Sequence, residues 1–187
     1  AKRPIRGRKS IGALRQYQVL TSRYWNIMMR NRKQILGILG QAFLFALVLT
    51  WVSDENVYKE FGSTQTVNFV TACLGMWMGL FLAIQEITKE RSIIRREYRA
   101  NLKLAPYVLS KATVLGVLAA VQVATLQLCV AIMSLLADKP SPDCSLLMTP
   151  MLENGITLWL VSFASVCMGL AVSALVKQPE RIAPYVL

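Results

Sequence analysis

Residues 108–137, VLSKATVLGVLAAVQVATLQLCVAIMSLLA, run for 30 positions with one charge, Lys111 near the start. Polar residues do not recur along it at the 3.6-residue period of a helix with one watery face. A helix that is apolar all round belongs in lipid, where 18 residues at 1.5 Å each reach about 27 Å, close to the hydrocarbon thickness. Three more stretches of 18 or more residues carry no charge at all: 35–52, 67–84 and 156–176. The helix of the second is expected to continue to 87. With 55% hydrophobic residues against 17% charged, and a mean hydropathy of +0.44, the two classes have to be segregated, and they are. The sequence predicts an all-α, polytopic membrane bundle of four spans, about 35–52, 67–87, 108–137 and 156–176, within a transmembrane region 35–187.

The charges between the spans set an orientation. Lys and Arg number ten before the first span, one in 53–66, seven in 85–113, one in 138–155 and two after 176. Basic segments are retained in the cytoplasm, so the N-terminus, the second loop and the C-terminus are expected inside the cell (inner) membrane, and the acidic loops outside. The outside loops carry Asp54, Glu55 and Glu60, then Asp138, Asp143 and Glu153. The net charge of +11 is therefore mostly a topology signal. It is divided by membrane side and not gathered on a soluble face, which argues against nucleic-acid binding.

Before the first span, residues 1–10, AKRPIRGRKS, read as a basic linker broken by Pro4 and Gly7. Residues 11–34 read as an amphipathic helix. Leu14, Tyr17, Leu20, Tyr24, Trp25, Ile27 and Met28 share one face, and Arg15, Gln16, Arg23, Asn26, Arg30 and Lys33 the other. Such a helix suits the membrane interface, its basic side toward anionic lipid or a cytosolic partner; packing on a soluble domain is the alternative.

Catalytic chemistry is poorly provided for. The chain has no His and no CxxC pair, which removes a structural zinc site and a His acid or base, so no metal and no catalytic residue are expected. Cys73, Cys129 and Cys167 fall within spans, where a thiol acts as a small apolar group. Cys144 stands in an outside loop, as a free thiol or a cross-link between two copies. The span centres lack Asp and Glu, which argues against a proton relay or a charged ion filter. They do carry small residues at helical spacing: Gly75 and Gly79 in the second span, Ala112, Gly116, Ala120 and Ala124 in the third, Ser165, Gly169 and Ser173 in the fourth. These allow close helix approach, within the bundle or, for Gly75 and Gly79, between two copies.

The second inside loop with its lead-in to the third span, residues 85–111, reads QEITKERSIIRREYRANLKLAPYVLSK. Pro106 suits the first turn of a helix and Tyr107 the interface. A loop that only faced lipid would not need Glu86, Glu90 and Glu97 among its basic residues. Charges of both signs beside Ile93, Ile94 and Tyr98 suggest a helix that docks on a protein surface.

This loop, followed by VLGVLAAVQ, resembles the type-2 ABC exporter permeases of the G-subfamily kind, most of all the bacterial members with forkhead-associated and ATP-binding domains upstream on the same polypeptide. Their pattern is a second span ending in Glu, then E-R and R-E pairs, then Y-x-x-S-K. Here it falls on Glu86, on Glu90 with Arg91, on Arg96 with Glu97, and on Tyr107, Ser110 and Lys111. Gln16-Tyr17 through Arg32 looks like the family's connecting helix, and GLAVSALVKQPERIAPYVL like its stretch after the fourth span. Relatives have six spans, so the chain reads as a fragment, and it contains no G-x-x-x-x-G-K-[ST] phosphate loop.

The resemblance implies a permease that is not itself an enzyme. It would work as a homodimer, driven by an ATP-binding domain that carries the ATP and Mg. Glu86, Glu90, Arg91, Arg95, Arg96, Glu97 and Tyr98 would couple that domain to the spans. Gly75, Met78 and Leu82 would face a cavity for an apolar or amphipathic substrate, and Gly75, Gly79, Gly116 and Gly169 would pack helices. The alternative function is a non-transporting membrane scaffold or sensor that binds a cytosolic regulator.

Overall fold

The computed structural model describes residues 12–53, 61–84, 86–87, 104–136 and 150–175. Its long elements are five helices: α1 (Ala13–Arg30), α2 (Arg32–Val52), α3 (Phe61–Ala83), α4 (Leu104–Leu136) and α5 (Pro150–Leu175). No strand occurs among the described residues. The last four helices are long and apolar enough to cross a membrane. The chain is thus an all-α, multi-pass membrane bundle.

The helices begin before the charge-free windows do. α3 starts at Phe61 and not near 67, α4 at Leu104 and not near 108, and α5 at Pro150 and not near 156. An apolar window marks the part of a helix that lies in hydrocarbon, whereas the backbone bonds continue through polar turns such as Gly62–Thr66. α3 closes at Ala83, four residues short of the predicted 87.

α1 and α2 are separated by the single non-helical residue Asn31 (φ −86°, ψ 77°). Its amide donates to the Met28 carbonyl at 3.1 Å, and its own carbonyl accepts from the amides of Gln34 at 3.1 Å and Ile35 at 3.2 Å. Its side-chain amide donates to Gln34 Oε1 at 3.1 Å. A helix end leaves backbone groups without partners, and one Asn here serves the end of α1 and the start of α2 together.

Packing divides the bundle in two. α3 lies chiefly on α5, while α1 and α2 lie on α4; the seam between α4 and α5 joins the halves. One core gathers Tyr24, Met28, Leu82, Leu115, Leu118 and Val166. The other gathers Ala42, Ala46, Met78, Val123, Leu126 and Leu158. Outward residues such as Leu44, Phe69, Leu128 and Leu160 are large, apolar and exposed, as helices with lipid for solvent require. Several hydroxyls on the spans turn back on their own helix: Thr50 donates to Ala46 O at 2.9 Å, Thr71 to Val67 O at 2.7 Å, Thr125 to Val121 O at 2.8 Å. That arrangement hides their polarity without a second helix.

Close approach at the α3–α5 seam rests on glycine. A Cβ built on Gly79 overlaps the Ser162 backbone carbonyl, and one on Gly169 lies 2.9 Å from the Ala83 Cβ and 3.2 Å from the Leu80 carbonyl oxygen. Lipid supplies no hydrophobic force between helices, so this contact of backbones stands in for it. The Gly75–Gly79 face is filled by α5 of the same chain. In α4 the small-residue row is less regular: Gly116 meets the Phe163 ring at 2.8 Å, but Ala124 is exposed.

Candidate functional site

Four side chains from three helices and the segment after α3 meet where the bundle's charges are buried. Lys111, in the second turn of α4, is 1% exposed, and Glu86, just beyond α3, is 7% exposed. Their charged groups stand 3.5 Å apart. Lys111 Nζ also donates to the Glu86 backbone carbonyl at 3.4 Å. Tyr24 on α1 donates its hydroxyl to Glu86 Oε2 at 2.5 Å, and Gln34 on α2 donates to Oε1 at 3.3 Å. The ammonium lies 4.1 Å from the centre of the Tyr24 ring and 5.7 Å from that of Tyr107.

Each component answers a cost. A carboxylate and an ammonium out of water are tolerable only when paired and hydrogen-bonded on their remaining sites. Glu86 receives bonds on both oxygens, and Lys111 has a carboxylate, a carbonyl and two ring faces; an ammonium over a ring face is favourable electrostatically. One residue later, the Ile87 amide donates to Ser173 Oγ on α5 at 3.1 Å. Residues 86 and 87 therefore tie the α3–α5 half to the α1–α2–α4 half.

A second polar contact lies deeper on the same α2–α4 seam. Gln122, 1% exposed, donates to Gln41 Oε1 at 3.2 Å and to the Ile38 carbonyl at 3.4 Å. At the α4–α5 seam the Trp159 indole donates to the Gly116 carbonyl at 3.0 Å. Among the described residues no three Cys, Asp or Glu side chains come together as a metal site requires. The arrangement binds helices to one another; it holds no group placed for bond-breaking chemistry.

This geometry belongs to a membrane component, and the comparisons say which. The sequence matches the ABC-2 type transporter family (ABC2_membrane) over residues 15–186. The chain belongs to the ABC-2 type transporter family. It is a type-2 ABC permease, the membrane component of a transporter. Over 109 residues it is 34% identical to the "ABC transporter ATP-binding/permease protein Rv1747" of Mycobacterium tuberculosis. That alignment covers 58% of this permease and 12% of the relative, so the chain spans a small part of the relative's length. No solved structure matches it.

Of the coupling residues expected in the permease, Glu90, Arg91, Arg95, Arg96, Glu97 and Tyr98 lie outside the described residues, as does Cys144. Glu86 is described, and it turns inward to Lys111 and Tyr24 instead of out toward a partner surface. Gly75, Met78 and Leu82, assigned to a substrate cavity, are buried among helices of the bundle, Met78 completely. Met78 packs with Ala42, Ala46 and Leu158, and Leu82 with Tyr24 and Met28. Gly75 lies against the end of the Leu158 side chain. Cys73, Cys129 and Cys167 are free thiols.

Three members of the buried cluster carried no functional weight in the sequence: Tyr24, Gln34 and Lys111. Tyr24 sits on the apolar face of α1, which turns to α4 and not to lipid; Leu20, Tyr24 and Met28 are buried, while Leu14 and Ile27 of the same face stay exposed. The signal that pointed to the cluster was Lys111 itself. A lone cation in a long apolar segment needs an anion, and Glu86 ends the neighbouring span.

Proposed function

We propose that this permease is the membrane part of an ATP-driven exporter that moves an apolar or amphipathic substrate by alternating access. The family match across residues 15–186 carries the reading, and a relative named as a fused ATP-binding/permease protein supports an ATP-binding domain upstream of this segment. In this reading that domain carries ATP and Mg, two copies of the permease face each other, and both termini are on the cytoplasmic side of the inner membrane. The loop from Glu86 to Tyr98 receives the motion of the ATP-binding domain. Glu86, anchored to α1, α2 and α4, passes it to both halves of the bundle.

Position 97 tests the coupling. In the complete transporter in proteoliposomes, Glu97→Ala should leave expression and ATP binding intact and abolish substrate-stimulated ATPase and transport. Glu97→Gln should be milder if hydrogen bonding outweighs charge there. Transport at the wild-type rate by both variants would return the loop to an ordinary solvated surface and favour the scaffold reading.

Orientation has its own test. An impermeant thiol reagent should modify Cys144 from outside, and a Ser92→Cys variant only from inside, as the distribution of Lys and Arg requires. Labelling of both positions from one side would overturn the four-span topology.

A further inference from the structure

We propose that the crevice between α1 and α4 is a binding site for the phosphate headgroup of an acidic phospholipid, with Arg23 as its anchor. The walls are two facing helical stripes, Leu20, Arg23, Tyr24 and Ile27 on α1 and Tyr107, Ser110 and Lys111 on α4. The spacings of i, i+3, i+4 and i+7 keep each set on one face.

Depth is the first argument. α4 has 33 residues, about 50 Å of helix, against hydrocarbon of about 30 Å, so roughly 20 Å of it lies among headgroups. Tyr107, Ser110 and Lys111 occupy its first two turns. Charge is the second. The crevice lining contains no carboxylate, and no Asp or Glu occurs from residue 12 to 53. Lys111 is matched by Glu86 behind the wall, so the lining contributes the positive charge of Arg23 at its rim. A guanidinium has five donors in a planar fork that fits phosphate oxygens, and it can hold a phosphodiester beside other contacts. Ser110 directs its hydroxyl hydrogen to the Tyr107 carbonyl at 2.7 Å.

Apolar surface is the third argument. Exposed Ile27 on α1 and exposed Leu104, Val108 and Leu109 on α4 border the crevice. A soluble anion or an acidic peptide has no use for that border, whereas a phospholipid places its acyl chains against it. The site lies away from the expected substrate cavity and stands whatever the transporter exports.

The complete transporter, purified in detergent and offered phosphatidylglycerol or phosphatidylcholine, should retain phosphatidylglycerol in native mass spectra and gain thermal stability from it alone. Arg23→Ala, on an exposed position that does not threaten folding, should weaken phosphatidylglycerol retention roughly tenfold, the scale of one charge-assisted hydrogen-bonded contact. Arg23→Lys should recover part of it. Arg30→Ala removes the same charge from the end of α1, outside the crevice, and should leave retention near wild type. Equal losses in the Arg23 and Arg30 variants would show diffuse attraction to a basic helix and overturn the site. Equal retention of both lipids would overturn it as well, and so would equal stabilisation by inorganic phosphate.

Discussion

Glu86→Ala should sharply reduce the folded, monodisperse transporter recovered from membranes and cost about 3–5 kcal/mol, because it strands a buried cation. Lys111 is 1% exposed and cannot reach water without moving α1 or α4. The Tyr24 hydroxyl and the Gln34 amide would lose their acceptor in the same step. The double variant Glu86→Gln with Lys111→Met separates charge from shape. Removing both members of a buried pair and keeping their volume is often neutral or even stabilising, so fluorescence-detected size exclusion and thermal unfolding should return toward wild type. A double variant as damaged as the single one would mean that the hydrogen bonds, and not the charges, hold this junction.

The second large effect is expected at Gly79. Gly79→Leu should prevent close packing of α3 on α5, since the added side chain begins where the Ser162 carbonyl already lies. Overpacking in a filled core costs about 1–3 kcal/mol when side chains can yield, and more here because the obstacle is backbone. Gly75 provides an internal control. A Cβ there meets the Cδ1 end of Leu158, which can rotate away, so Gly75→Ala should be tolerated where Gly79→Ala is not. Proteolysis of detergent-solubilised protein would show the difference as cleavage within the bundle. Equal tolerance at both positions would contradict the seam.

Sequence reading went furthest where the physics is local. Charge-free length identified four spans because hydrocarbon excludes charge over a fixed thickness, and the structure has four such helices. Helix ends were harder to read, since turns such as those at Phe61–Thr66 and Pro150–Gly155 leave the hydrocarbon without ceasing to be helix. The buried cluster was legible only in part. Lys111 and Glu86 were both visible as anomalies, but their pairing joins positions 25 apart across a loop, and no periodicity links them. Tyr24 was read as an interfacial aromatic because amphipathicity tells which face of a helix avoids water. It does not tell whether lipid or another helix covers that face.

The division of the bundle into halves also sets an order of assembly. α3 and α5 meet closely, yet the bond between Ile87 and Ser173 joins positions 86 apart in sequence. At a synthesis rate of about 5–20 residues per second, α3 waits on the order of ten seconds for α5 to emerge. Throughout that interval the groove at Gly75 and Gly79 is open to any small-residue helix in the same membrane. The third span, arriving in between, screens only part of it. The permease is therefore most vulnerable to mispairing after its second span is inserted and before its fourth, and an insertase that holds α3 through that interval would raise the yield of correctly packed bundle.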